Sequence, residues 1–343
     1  MVDISNLVRD NVKNLTPYSC ARDEFKGSTG IFLDANENPY GKLNRYPDPY
    51  QKELKKAISG YKEIPEENIF LGNGSDEIID LCFRVFCRPG VDKALTFTPT
   101  YGMYEVSASV NDVQVIKIPL NTSFQIDMQK VTPLLADKSL KLIFICSPNN
   151  PSGNSMNYAD VEYIVSKSDS IVVIDEAYID FSDKPSFIKL VEKYPNLIVM
   201  QTFSKAFGLA SVRVGMAFAG SAIVQYFNKI KPPYNISTIN QKTALSKISR
   251  SFEVAKQVRK IKREKEKLVF QIGKLDLTEM IYPSDANFIL VKVKDANLIY
   301  GELVKMNIIT RNRNSVVRNC IRITVGKPSE NKLLLKALKT IKI

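Results

Sequence analysis

The residues that follow Leu197 put a lysine where a lysine can act as a reagent. Leu197, Ile198, Val199 and Met200 form an apolar run typical of a covered strand, and the chain then breaks into Thr202-Phe203-Ser204-Lys205. An amine carried by a strand end into a pocket loses its proton more easily and becomes a nucleophile, whereas a solvated lysine does neither. The residues that follow the other apolar runs bear on the choice. After Leu142 to Cys146 comes Ser147-Pro148-Asn149-Asn150-Pro151. After Ile171 to Ile174 comes Asp175-Glu176-Ala177-Tyr178, and after Asn68 to Leu71 comes Gly72-Asn73-Gly74-Ser75-Asp76-Glu77. Singly, each has a plain structural use: the prolines and asparagines make turns, and an acid at a strand end caps a helix. The glycine-rich turn opens a helix whose free backbone N–H groups can cradle a phosphate, though it has neither P-loop nor dinucleotide spacing. Arg213 stands eight residues after Lys205. Arg322 lies in the alternating run Ile321 to Val325, where an arginine can equally well face water.

The chain contains no histidine. Histidine-based triads and facial metal triads are therefore excluded, and any general acid or base is a carboxylate, lysine, tyrosine or cysteine. The cysteines at 20, 82, 87, 146 and 320 fit no zinc spacing and read as buried free thiols, so no metal is expected. Lysine and arginine number 48 against 36 aspartates and glutamates, a net charge of +12. The basic residues are scattered, except at 256–267, where Glu264 and Glu266 interleave the cations as on the wet face of a long helix. The charge thus suits a pocket for small anions better than nucleic acid, and no nucleic-acid partner is expected. The N-terminal residues lack a signal-peptide core, and no apolar run reaches membrane-spanning length, so the expectation is a cytoplasmic protein with no membrane partner.

The elements that must position these side chains are short apolar strands at 94–98, 113–118, 141–146, 171–175, 197–201 and 214–219, mostly separated by helical patterns. Such alternation predicts an α/β fold, a mostly parallel sheet covered by helices on both faces. Open sheets of this kind place ligands beyond the carboxyl ends of the strands. After Lys231-Pro232-Pro233-Tyr234 the rhythm changes to a helix over about 240–271, strands at 288–293, 308–312 and 320–325, and a helix at 296–306 between them. This predicts a smaller α+β domain. The expected division is an arm at 1–27, a large domain at 28–239 and a small one at 240–343.

A phosphate cradle, an asparagine, an aspartate, a tyrosine, a lysine and an arginine on one rim are what pyridoxal 5'-phosphate requires. In motif and order the chain resembles the fold-type I, class II pyridoxal-phosphate aminotransferases, and within them the histidinol-phosphate branch. The likeness is carried by NLTPYSCARDE at 14–24, LDANENPYG at 33–41, NRYPDP at 44–49, GNGSDE at 72–77, PTYGMYE at 99–105, SPNNPSG at 147–153, DEAYIDF at 175–181, TFSKAFGLASVRVG at 202–215 and IRITVG at 321–326. Two positions depart from the pattern: Ser152 stands where threonine is usual, and Ala210-Ser211 where Ala-Gly is usual.

The resemblance implies a large, mostly parallel seven-stranded sheet domain with a smaller α+β companion. It also implies roles: Lys205 as the Schiff-base lysine and Cα proton carrier, Asp175 opposite the ring nitrogen, Tyr178 and Asn150 on the ring oxygen, and Tyr101 stacked on the ring. Ser75, Asp76, Ser204 and Arg213 would hold the cofactor phosphate, joined by Tyr46 from the second subunit of a homodimer with shared active sites. Tyr18, Asn36, Arg311 and Arg322 would receive the substrate. The implied reaction is ping-pong amino transfer from L-glutamate, released as 2-oxoglutarate, to imidazole-acetol phosphate, giving L-histidinol phosphate in histidine biosynthesis. The alternatives are an aminotransferase for aromatic amino acids or another small amino phosphate, a decarboxylase of the phosphothreonine type, and an aminotransferase-like DNA-binding regulator. About 30 residues precede the LDANENPYG motif at 33–41, fewer than the winged-helix segment expected of the last.

Overall fold

The computed structural model describes residues 3–20 and 30–342. The expected end of the arm, at 27/28, and the Ala21 to Glu24 part of the first motif lie outside them. The main body is one seven-stranded sheet built from β1 (Ile69–Asn73), β2 (Lys93–Thr98), β3 (Gln114–Pro119), β4 (Leu140–Cys146), β5 (Ile171–Asp175), β6 (Leu197–Thr202) and β7 (Val214–Ala219), in the spatial order β1-β7-β6-β5-β4-β2-β3. Strands β2 to β6 pair in parallel, and β7 runs antiparallel to β1 and to β6.

The strands are apolar at nearly every position because both faces are covered. Alternate residues feed two cores. Leu71, Ile143, Ile145, Val172, Ile174 and Val199 face one; Phe70, Leu142, Phe144, Val173, Ile198 and Met200 face the other. The first core is closed by the helices Lys52–Lys62, Tyr158–Lys167 and Thr238–Ile248. The second is closed by Ser75–Phe86, Met103–Val110 and Ser221–Ile230. Each fully buried Leu, Ile, Val or Phe contributes about 1.5–3 kcal/mol. Rigidity of the strand ends follows from that burial.

A four-stranded antiparallel sheet of β8 (Thr278–Ile281), β9 (Phe288–Val293), β10 (Arg311–Asn312) and β11 (Cys320–Thr324) has its own core with the helices Ala296–Lys305 and Pro328–Thr340 and with Leu268 and Ile272. Three local expectations change. The helix over 240–271 is two helices, Thr238–Ile248 and Ser251–Ile272, because the chain turns at Ser249 and Arg250. Ala244, Ile248, Val254 and Val258 pack on the large sheet's core, and only the far end of the second helix reaches the small one. The strand at 308–312 shrinks to Arg311–Asn312, because Asn307 (φ +58°) reverses the chain after the preceding helix and Ile308 N–H bonds back to Leu303.

The small sheet is fastened to the rim of the large one. Asp285 N–H donates to Gly153 O at 2.7 Å, and Ser155 N–H donates to the Asp285 carboxylate at 3.0 Å. Lys262 pairs with Asp183 at 2.5 Å. Among the described residues no helix is long and apolar enough to cross a membrane, and no cluster of metal-ligating side chains occurs. All five cysteines are buried.

Candidate active site

The carboxyl ends of β1, β2, β4, β5 and β6 share one rim, and antiparallel β7 begins there. Register sets the positions: Cys146 lies beside Asp175, Asp175 beside Met200, Thr202 beside Gly215, and Asn73 beside Val214. Thus Arg213, the residue before β7, lands against the turn after β1. A cavity of about 240 Å³ opens on this rim. Ser75, Asp76, Tyr101, Asn150, Asp175, Tyr178, Ser204, Lys205 and Arg213 line it, with Arg322 brought in from β11.

At its floor Asp175 is 4 % exposed. Its Oδ2 accepts the Tyr104 hydroxyl at 2.7 Å, and its Oδ1 accepts the Ala177 N–H at 3.1 Å. Burial raises the carboxyl's pKa, and these two donors oppose the rise. Tyr104 is itself enclosed, stacked on Phe144 at 4.8 Å and meeting Tyr101 edge-on at 5.6 Å. The Lys205 amine sits 5.5 Å from the Tyr178 ring centroid. Burial, then the nearby Arg322 charge, lowers its pKa, which favours the unprotonated nucleophile. Burial pushes the Tyr178 phenol up, so that hydroxyl stays protonated and able to donate.

At one end the helix Ser75–Phe86 starts without a side-chain cap, leaving its first N–H groups directed at the cavity. The approach depends on two glycines. Gly74 has φ +77°, and any Cβ there would strike the Arg213 guanidinium. A Cβ on Gly215 would lie 2.5 Å from Gly74 C and from Ser75 N. Arg213, held at φ +52°, donates to Asp76 Oδ2 at 3.0 Å, and Tyr101 donates to the other carboxylate oxygen at 3.1 Å. An uncapped helix start beside a guanidinium and a serine forms an anion cradle. At the opposite end the Arg322 guanidinium donates to Asn150 Oδ1 and stacks over Phe288 at 5.2 Å.

The set fits an aromatic ring with a basic nitrogen over Asp175, an anionic phosphate in the cradle, and a carbonyl carbon near Lys205. Asn150 faces the cavity, whereas its neighbour Asn149 is buried and spends its amide on Pro99 O and Ser152 Oγ, with its Oδ1 accepting from Thr100.

The remaining sequence candidates lie outside this cavity. Arg311 lines an adjoining groove of about 1030 Å³, which shares Tyr101, Asn150 and Arg322 with it. Asn36 and Tyr46 line a separate cleft with Ser237 and Thr238, where Tyr46 stacks on Tyr234 at 4.4 Å. Tyr18 is 76 % exposed. Two residues were missed from sequence. Tyr104 reads as one more apolar position of an amphipathic helix, and its distance of three from Tyr101 was the available signal. Arg313, also in the adjoining groove, carries no local mark beyond alternation with Arg311.

A family model described as aminotransferase class I and II matches residues 20–338. A histidinol-phosphate aminotransferase of Cytophaga hutchinsonii is 49% identical over 344 residues, spanning 98% of this chain and 99% of that one. Among solved structures, the histidinol-phosphate aminotransferase from Clostridium acetobutylicum superposes with a TM-score of 0.79 at 25% identity, over 87% of this chain and 90% of that one. The enzyme of the same name from Sinorhizobium meliloti, solved in complex with pyridoxal-5'-phosphate, has a TM-score of 0.80 at 23% identity, over 87% and 82% of the two chains.

Proposed function

Since the chain belongs to the class I and II aminotransferases, we propose that it acts as a histidinol-phosphate aminotransferase, passing the amino group of L-glutamate to imidazole-acetol phosphate in histidine biosynthesis. The observation that carries this reading is the joining of a cofactor-shaped cavity around Lys205 to an arginine-lined groove through the Arg322–Asn150 contact.

Pyridoxal 5'-phosphate, when bound, supplies the aldehyde and the electron sink. Asp175, held by Tyr104 and Ala177, would face the ring nitrogen. The N–H groups of Ser75 and Asp76, the Ser204 hydroxyl and Arg213 would hold the phosphate. Asn150 and Tyr178 would donate to the ring oxygen, and Tyr101 would cover the ring. Lys205 Nζ, whose pKa burial lowers, would supply the amine for the aldehyde carbon and the base that takes the Cα proton. With no histidine in the chain, this lysine is the base at hand for both half-reactions.

Arg322 and Arg311 bind the substrate's anionic end, because guanidinium takes carboxylate and phosphate alike in bidentate fashion. Tyr18, Asn36 and Tyr46 join the site only when a second copy packs against this one. The strongly exposed Ile31, Leu33, Tyr40 and Leu43 beside them are the apolar surface such a homodimer would cover.

A single-turnover test follows. Cofactor-loaded protein mixed with L-histidinol phosphate alone should change colour with formation of one equivalent of the ketone imidazole-acetol phosphate. Release of carbon dioxide from phosphothreonine under the same conditions would favour the decarboxylase reading.

A further inference from the structure

The groove beside the amine holds more positive charge than Arg311 and Arg322 account for. These two stand directly opposite each other on β10 and β11. Arg313 continues the same ladder, its backbone N–H donating to Cys320 O at 2.9 Å. Residues two apart on an extended strand share a face. Arg313 accordingly joins the other two in lining the groove, while Asn312 between them donates to Asn297 at 2.8 Å on the far side. The carboxylate among the groove-lining residues is Glu105, and Lys117 engages it at 2.5 Å. Arg313 Nε is buried with no hydrogen-bond partner. Burial and the two neighbouring guanidinium groups hold Arg313 below its ordinary pKa, and Arg322 is lowered in the same way by burial and Arg311.

Like charges held close together repel one another, so the arrangement favours a ligand that answers more than one of them. A carboxylate, with one charge, is fully served by a single bidentate guanidinium. A phosphate monoester has nearly two charges and three acceptor oxygens at neutral pH, enough for a third donor. We propose that Arg313 is a specificity-determining residue that recognises the additional charge and oxygen of a phosphate monoester, so that the groove prefers phosphorylated amines over amines carrying only carboxylate. The inference rests on the functional reading above for the substrate's identity, and on the groove alone for the anion it takes.

The test pairs steady-state kinetics with direct binding on the cofactor-loaded enzyme. Wild type, Arg313→Gln and Arg313→Lys are compared for kcat/KM with L-histidinol phosphate and with L-glutamate, and for binding of inorganic phosphate by calorimetry. The expected result is that Arg313→Gln lowers the histidinol phosphate to glutamate ratio of kcat/KM by roughly ten-fold or more, through KM, and weakens phosphate binding by a like factor, with Arg313→Lys intermediate. A ratio within about two-fold of wild type in both variants, with phosphate binding intact, overturns the proposal. If wild type fails to turn over L-histidinol phosphate yet binds phosphate in an Arg313-dependent way, the functional reading falls and the phosphate site stands. If Arg313→Gln does not fold, the lysine variant carries the comparison, because it keeps the charge while losing the fork of donors.

Discussion

Tyr104→Phe removes one oxygen from an enclosed ring and leaves the rest of the ring in place. The stack on Phe144 and the edge contact with Tyr101 need no hydroxyl, so the packing loss is small. What is lost is the 2.7 Å hydrogen bond to Asp175 Oδ2, leaving that carboxylate with the Ala177 N–H alone. A hydrogen bond to a charged group contributes about 1.5–3 kcal/mol, which is roughly 10- to 150-fold in an equilibrium constant. The sign follows from which form is stabilised. Tyr104 donates to the charged carboxylate, so its loss favours the protonated acid, in the direction burial already pushes. A protonated Asp175 cannot pair with a protonated ring nitrogen. Affinity for pyridoxal 5'-phosphate should therefore fall by about ten-fold or more, and the pH below which affinity declines should move upward. The assay is absorbance titration of cofactor-free protein across pH, with thermal melts to verify the fold. An unchanged affinity–pH curve would refute the reasoning. So would an equal loss at every pH accompanied by a lowered Tm, because that pattern belongs to packing.

Three other outcomes are expected. Lys205→Ala should retain pyridoxal 5'-phosphate but lack the absorbance of the imine and turn over no substrate; a variant with full transamination would remove Lys205 from its role. Gly215→Ala should loosen the phosphate cradle, since its Cβ would meet Gly74 C and Ser75 N at 2.5 Å, and should weaken cofactor binding by about ten-fold or more in an equilibrium titration; undiminished affinity would count against the cradle. Glu176 is fully buried, accepts from Ser186, Gln201 and Phe187 N–H, and has its pKa raised by burial to about 7. A raised carboxyl stabilises fully below the unfolded value and loses that contribution as pH rises through about 7, a span of about 3 kcal/mol. Glu176→Gln should flatten the fall in Tm between about pH 5 and pH 8, and a slope equal to wild type would contradict this.

Where the sequence was legible, the reason is physical. Strands covered on both faces must be apolar throughout, so β4, β5, β6 and β7 stand out as runs, and the polar segments after β4, β5 and β6 mark the rim. The segments that carry Lys205, Asp175, Asn150 and Ser75 were readable on that basis, whereas the choice of Asn150 over Asn149 and the role of each side chain came from the resemblance. Arg213 required the reversal of β7, which brings a residue that precedes a strand to the same rim as residues that follow the others. Tyr104 and Arg313 act through tertiary register. One is buried among aromatic rings, and the other is set across from β11, neither of which local periodicity encodes. The edge strand Thr278–Ile281 escaped for a related cause: its middle residues are exposed and its composition is mixed. Tyr18, Asn36 and Tyr46 came from resemblance alone. In a single copy of the chain they stand apart from Lys205, and sedimentation of the cofactor-loaded protein at dilution will report whether a second copy brings them in.

The central claim concerns which amine the site selects. Its most direct measurement is kcat/KM for L-histidinol phosphate and for L-phenylalanine, side by side, with cofactor-loaded enzyme and 2-oxoglutarate as acceptor. The arginine-lined groove predicts a clear preference for the phosphate ester. A preference for phenylalanine would contradict it and reassign the enzyme to aromatic amino acids.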